Sequence, residues 1–161
     1  KFLRNYSFTS KIPFLADLAK LEWALIEAFY ANDVLPLDQN TLRKFARNEQ
    51  ALIGAKIKLD PSVHLFCLQW PVDDIWRKRE FVSGTKIKQS RYYLLIYRIN
   101  YYLKVERLSL LQWQMLRLLQ SGNALREMFE KTKDLAHQDT GLLQKWFQHW
   151  TSCGIIRNIV M

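Results

Sequence analysis

Apolar positions recur along this chain with two periods. From Pro13 to Ala31, Phe14, Leu18, Leu21, Leu25 and Phe29 are spaced by three and four, which is one face of a helix. Leu15, Ile26 and Tyr30 widen the stripe, and Asp17, Lys20, Glu22 and Glu27 mark its polar borders. Pro13 suits a first helical position, where its missing N–H costs nothing. The helix is expected to stop near Asn32-Asp33, before Pro36. Asp38 reads as the N-cap of a second helix with Leu42, Phe45, Leu52 and Ile53 apolar, ended by Gly54.

The period then changes to two. Lys56-Ile57-Lys58-Leu59 alternates like a short half-buried strand, Asp60-Pro61-Ser62 is a turn, and Val63 to Trp70 is β-branched and aromatic, a second strand. Pro71 ends that strand and opens a short helix through Trp76, with Asp73 and Asp74 at its positive end. Residues 77–91 are polar and basic and read as a loop. Tyr92–Ile99 and Tyr101–Leu108 form a hairpin about Asn100, with Tyr101, Leu103 and Val105 expected on one face and Tyr102, Lys104 and Glu106 on the other.

Helical spacing returns for three elements. The first runs from Leu110 to Ser121 with Leu111, Met115, Leu118 and Leu119 inward, capped by Ser109 and ended by Gly122. Asn123 is expected to cap the next, which carries Leu125, Met128 and Phe129. Asp139 or Thr140 caps the third, where Leu142, Leu143, Trp146, Phe147 and Trp150 keep the spacing over two turns. Gly154 ends it, and Ile155 to Val160 supplies a last strand.

Composition narrows the class. Of 161 residues 49% are apolar and 14% aromatic, which excludes a disordered chain. Five Gly and four Pro exclude collagen-like and low-complexity chains. No uncharged apolar run reaches the roughly 18 residues of a membrane span. Two cysteines, Cys67 and Cys153, are too few for a disulfide scaffold and, with abundant Lys, point to the cytoplasm. The chain opens on Lys1 rather than Met, so an upstream segment missing or removed is expected, and a signal peptide stays open. The net charge of +9 favours acidic partners: nucleic acid, an anionic surface or an acidic protein. The excess is concentrated in the middle, where residues 61–107 hold 9 basic and 4 acidic side chains.

Little in the chain resembles a self-contained catalytic centre. His64 and Cys67 are three apart in a strand and point to opposite faces, while His149 and Cys153 are four apart and share a helix face. A tetrahedral metal site needs four converging ligands, and a structural Cys with a surface His explains both pairs. No G-x-S-x-G or phosphate-binding glycine loop is present. Trp70-Pro71-Val72-Asp73-Asp74-Ile75-Trp76 is either a packed strand-to-helix corner or a protein contact, since Trp is enriched at interface anchors. Acid–base work by the adjacent carboxylates is the weakest reading, because neighbouring helical residues diverge by about 100°. The 77–91 run, flanked by Phe81, Tyr92 and Tyr93, is either a solvated loop or a phosphate- and base-binding segment.

A hairpin followed by three helices has the order of a winged-helix module. Such a module either inserts a helix into DNA or accepts a peptide strand at a sheet edge. The last helix offers Gln144, Lys145, Gln148 and His149 outside and large aromatics inside, rather than a row of base-reading side chains. This favours peptide binding, with the strand around Tyr101–Leu108 as acceptor.

Three stretches carry a family resemblance: Pro13-Phe14-Leu15-Ala16-Asp17-Leu18-Ala19-Lys20-Leu21-Glu22-Trp23, Leu59-Asp60-Pro61-Ser62-Val63, and Trp70-Pro71-Val72 with Ile75-Trp76. Together they resemble the DNA-binding-domain family encoded beside multinuclear non-heme iron oxidases. The likeness covers residues 12–76 well and residues 92–150 more loosely, by element order and by Leu118-Leu119-Gln120-Ser121-Gly122. The family's His-Pro is Asp60-Pro61 here, so any chemistry of that His is lost. Longer members carry a helical domain ahead of this region. Here about eleven residues precede the first motif, as in a trimmed chain or in the short members that serve methanobactin biosynthesis.

The resemblance implies a division of labour. An MbnB-like multinuclear iron oxidase would hold the iron and form a heterodimer with this chain, which would carry no cofactor, stabilise the oxidase and bind the leader of a precursor peptide. The expected fold is α+β: residues 1–80 a helical subdomain with short strands that contacts the oxidase, 81–91 a basic loop, and 92–161 a winged-helix-like module resembling the peptide-recognition element of modified-peptide pathways. Leader binding is expected at Tyr101, Leu103, Val105, Leu143, Phe147 and Trp150, and the oxidase contact at Trp70, Asp73, Trp76 and Arg77. The rival expectation is a winged-helix regulator that binds nucleic acid.

Overall fold

The computed structural model describes residues 12–35, 37, 53–78, 87–133 and 140–160, and among these it has two antiparallel sheets and five complete helices. The order is α1 (Leu15–Tyr30), β1 (Lys56–Leu59), β2 (His64–Leu68), α2 (Val72–Lys78), β3 (Tyr92–Ile99), β4 (Tyr102–Leu108), α3 (Leu110–Gln120), α4 (Leu125–Thr132), α5 (Thr140–Ser152) and β5 (Ile156–Val160). The fold class is α+β. The second expected helix falls outside the described residues except at Ile53 and Gly54, which are helical. Residues 79–86 of the basic loop also lie outside them.

β1 pairs with β5, and β2-β3-β4 form the second sheet. Both sheets therefore join strands from the two sides of the expected 81–91 boundary. The backbone adds further ties across it, Asp60 N to Ile155 O at 2.9 Å and Leu125 N to Ala55 O at 3.0 Å.

The central strand β3 is apolar on both faces and separates two cores. Leu95 and Tyr97 face a cluster with Met115, Leu116, Leu119, Met128, Trp150 and Ile155. Leu94 and Ile96 face a second cluster with Leu21, Ala24, Leu25, Ala28 and Val72. A strand covered on both sides reads as a continuous apolar run, as Tyr92–Tyr97 does before Arg98.

Several local expectations shift. In α1 the buried stripe is Asp17, Leu21, Ala24, Leu25 and Ala28, while Phe29 is exposed. Small alanines let the helix lie close to the sheet and rotate its inner face away from Phe29. Asp17 is inside because Oδ2 accepts from Gln69 N at 2.8 Å and Oδ1 from Lys20 Nζ at 2.7 Å. Arg98 of β3 reaches the C-terminal end of α1, donating to Phe29 O, to Ala31 O (2.7 Å) and to Asp33 Oδ1 (2.6 Å). That supplies partners for carbonyls a helix end leaves open. Ser109 and Gln112 form a reciprocal capping box at α3. The N-cap of α4 is Ala124, not Asn123, whose amide instead donates to Leu118 O at 3.0 Å. Gly122 and Gly154 follow α3 and α5 in the left-handed region, with φ of 79° and 72°.

The hairpin turn has two residues rather than one. Asn100 and Tyr101 both have positive φ, 48° and 65°, as a type I′ turn requires. Tyr101 thus leaves the strand and no longer aligns with Leu103 and Val105.

Candidate functional site

The two-residue turn fixes which backbone groups of β4 face outward. Ile99 and Tyr102 flank the turn and pair with each other, as do Tyr97 with Lys104, Leu95 with Glu106 and Tyr93 with Leu108. In a two-residue hairpin the flanking pair exchanges hydrogen bonds, and bonded pairs alternate along the ladder. The N–H and C=O groups of Leu103, Val105 and Arg107 therefore point away from β3. Among the described residues β4 is the edge of its sheet, and no described strand pairs with these groups.

That edge is guarded. Arg77 Nη2 donates to Val105 O at 2.7 Å, taking one of the outward carbonyls. Arg107 makes a two-pronged contact with Asp73, Nε to Oδ2 at 2.7 Å and Nη2 to Oδ1 at 2.9 Å, and Nη2 also reaches Asp74 Oδ2 at 2.6 Å. These contacts, led by the hydrogen bond to Asp73, push the guanidinium above its ordinary range. Charged side chains along an edge are a common way to keep it from pairing at random.

The structure separates the residues expected to bind a leader. Leu103 and Val105 pack against the second core, on the α1 side of the sheet. Leu143 and Phe147 pack against the first core, and Trp150 is enclosed within it at 1% exposure, so its side chain offers a peptide no surface. Tyr101 is exposed at the hairpin tip. A peptide added to β4 would thus meet Leu103 and Val105 as backbone partners, not together with the α5 aromatics.

The residues expected at the oxidase contact are also tied inward. Asp73 is buried and paired with Arg107. Trp70 and Trp76 are half-buried against the second core, and Arg77 serves the β4 edge. The corner reading of the Trp70–Trp76 segment describes these contacts. A different apolar row lies open, one the sequence pattern does not single out: Trp23, Ile26, Phe29 and Tyr30 on the outer side of α1 are 62%, 50%, 49% and 78% exposed, and Val34 and Leu35 continue it. The available signal was the width of the α1 stripe, too broad for one buried face.

Asp60, which precedes Pro61 at the turn after β1, is buried. It accepts from Ser62 N at 2.9 Å and from Ser62 Oγ, and its other oxygen accepts from Arg157 Nε at 2.5 Å. Ser62 Oγ in turn accepts from Arg98 N at 3.0 Å. At this position the chain builds a structural knot between β1, β3 and β5.

His64 and Cys67 do face opposite ways. His64 points to Glu27 of α1, with Nδ1 3.8 Å from Oε2, and its buried Nε2 has no hydrogen-bond partner. Burial lowers its pKa below the ordinary 6.5, partly offset by Glu27. On acidification the unfolded chain takes up the proton first, so stability is present above pH 6.5 and lost as pH falls through the lower folded value. Melting curves at pH 7.5 and 5.5 should show a smaller acid-induced drop in His64→Phe than in the parent.

Among the described residues, no group of three or more His, Cys, Asp or Glu is arranged to hold a metal ion. None of the described helices is long and apolar enough to cross a membrane. A scan against protein-family models finds no match, and neither does a search of curated protein sequences.

Proposed function

We propose that this chain is the non-catalytic, MbnC-type subunit of a heterodimeric iron-dependent oxidase that modifies cysteines of a ribosomal precursor peptide. The chemistry is methanobactin-type oxazolone and thioamide formation. The iron belongs to the MbnB-like partner subunit, and this chain holds the leader part of the peptide and stabilises the partner. The observation that carries the peptide-binding role is the outward row of backbone groups at Leu103, Val105 and Arg107 on an edge strand. Strand addition draws its affinity from such groups and its selectivity from the side-chain pockets beside them. The exposed row on α1 supports a protein partner: apolar side chains gathered on one face, rather than scattered singly, mark interaction surfaces.

The test exploits the alternation. In Val105→Pro the deleted N–H is an outward one, so the hairpin ladder keeps its bonds, and proline is tolerated on edge strands. Affinity for a fluorescently labelled synthetic leader peptide should fall at least about tenfold, from one lost backbone bond plus the ring's obstruction. Unchanged affinity in a folded Val105→Pro chain would remove β4 as the acceptor.

Arg77 gives a change of opposite sign. Its bond to Val105 O must break before a peptide N–H can take that carbonyl. Arg77→Ala should therefore tighten leader binding by about two- to tenfold, the worth of one net hydrogen bond. Fluorescence anisotropy titration reads both variants.

A further inference from the structure

A series of side chains crosses the first-core face of the sheet and ends at a thiol. Tyr97 of β3 donates its hydroxyl to Glu106 Oε1 of β4 at 2.5 Å. Glu106 Oε2 lies 3.3 Å from His149 Nε2 of α5. The other ring nitrogen, Nδ1, is 3.6 Å from Cys153 Sγ.

Each link constrains the next. Burial pushes the Tyr97 phenol far above its ordinary 10.0, with Glu106 and then Cys153 adding to the rise. Tyr97 therefore stays protonated and keeps Oε1 occupied. Oε2 is left to accept from His149. The tautomer with its proton on Nε2 meets both histidine contacts at once, donating to Glu106 and presenting the Nδ1 lone pair to the thiol. A nucleophile beside a base, with the base held by a third group, is the arrangement that activates weak nucleophiles.

The helix end shapes the reaction. Cys153 N donates to His149 O at 2.9 Å, closing the last helical turn, and Gly154 reverses the chain immediately afterwards. Gly154 N is taken by Thr151 O at 3.0 Å. The amides of Cys153 and Gly154 are thus committed, so these two do not form the paired donors an acyl-transfer intermediate needs. Exchange between sulfurs develops no such oxyanion.

We propose that Cys153 is a nucleophilic thiol for disulfide exchange, with His149 as its proton acceptor and Glu106 as the residue that positions His149. The co-reactant is a small disulfide, R–S–S–R. The thiol proton passes to Nδ1, and the sulfur lone pair forms a bond to one sulfur of the disulfide. The R–S–S–R bond breaks, and its electron pair leaves with the second sulfur. That sulfur takes the proton from His149 and departs as R–S–H. Cys153 is oxidised to a mixed disulfide and the released thiol is the reduced product.

The chain carries its own control, because Cys67 is exposed whereas Cys153 is only half-exposed, and both are free. Accessibility alone makes Cys67 the faster thiol. The probe is 2-hydroxyethyl disulfide, a neutral molecule that the +9 charge of the chain does not steer. Acid-quenched samples at pH 7, digested and analysed by mass spectrometry, give a rate for each cysteine in the intact chain. Cys153 is expected to react about tenfold or more faster than Cys67, within what a positioned base contributes. In His149→Phe its rate should fall by about the same factor while the Cys67 rate holds. Glu106→Gln keeps an acceptor for Tyr97 but weakens the hold on His149, and should slow Cys153 without slowing Cys67. Loosened packing would instead expose the thiol and speed it, so the direction separates positioning from structure. Should His149→Phe melt early, His149→Gln serves in its place. A Cys153 rate at or below that of Cys67, or one that a folded His149 variant leaves unchanged, overturns the proposal.

Discussion

Trp150→Ala should unfold much of this protein at moderate temperature. The Trp150 ring is 1% exposed, with Phe147 edge-on at 5.4 Å and Trp146 stacked at 6.4 Å. Its carbonyl also accepts from Ile155 N at 2.8 Å where the chain turns into β5. Removing a buried indole costs about 3–5 kcal/mol, against a total of roughly 5–15 kcal/mol for a domain. Urea denaturation followed by circular dichroism should show a large loss of midpoint with little change in slope. Trp150→Phe keeps much of the ring contact and should recover more than half of the loss. A modest effect of the alanine variant would mean that α5 is not part of the first core.

Asp60→Ala should rank close behind. One buried carboxylate serves Ser62 N, Ser62 Oγ and Arg157 Nε. Truncation strands the Arg157 charge in a partly buried site and leaves a buried amide unpaired. Breaking such a pair by removing one partner costs about 3–5 kcal/mol. Arg157 is on β5 and Asp60 follows β1, so the loss should concentrate in the two-stranded sheet. Hydrogen exchange should show β1 and β5 amides losing protection before those of β3.

Such effects also show where the sequence was legible. The hairpin was, because its two strands are adjacent and its alternation survives folding. Ser109 as a cap was too, since the capping box is a local pattern closed within three residues. The two-residue turn was harder, because Tyr101 is β-prone and its positive φ follows only from the pairing of Ile99 with Tyr102. The phase of α1 departs from the sequence pattern at Phe29, where side-chain size suggests burial and the fit of Ala24 and Ala28 against the sheet decides otherwise.

Buried carboxylates were the least visible feature. Asp17, Asp60 and Asp73 look like surface residues until their distant partners are known, and those lie 52, 97 and 34 positions away in the chain. The same distance hid the thiol site. His149 and Cys153 could be paired by helical spacing, but Glu106, which orients the imidazole, is 43 residues earlier on β4. The candidate leader site was legible as a strand and not as a set of side chains. Helical spacing found the α5 aromatics, yet only the two-faced sheet reveals that they lie on the opposite side from Leu103 and Val105.

The proposed accessory role beside an iron oxidase makes a prediction about what this chain binds. The direct measurement is native mass spectrometry with metal analysis on the chain purified alone and after co-expression with an MbnB-like iron oxidase. A one-to-one complex is expected, with the iron staying with the oxidase subunit when the two are separated. A chain that remains alone, and instead retains nucleic acid that moderate salt strips away, would contradict it and identify a nucleic-acid-binding regulator.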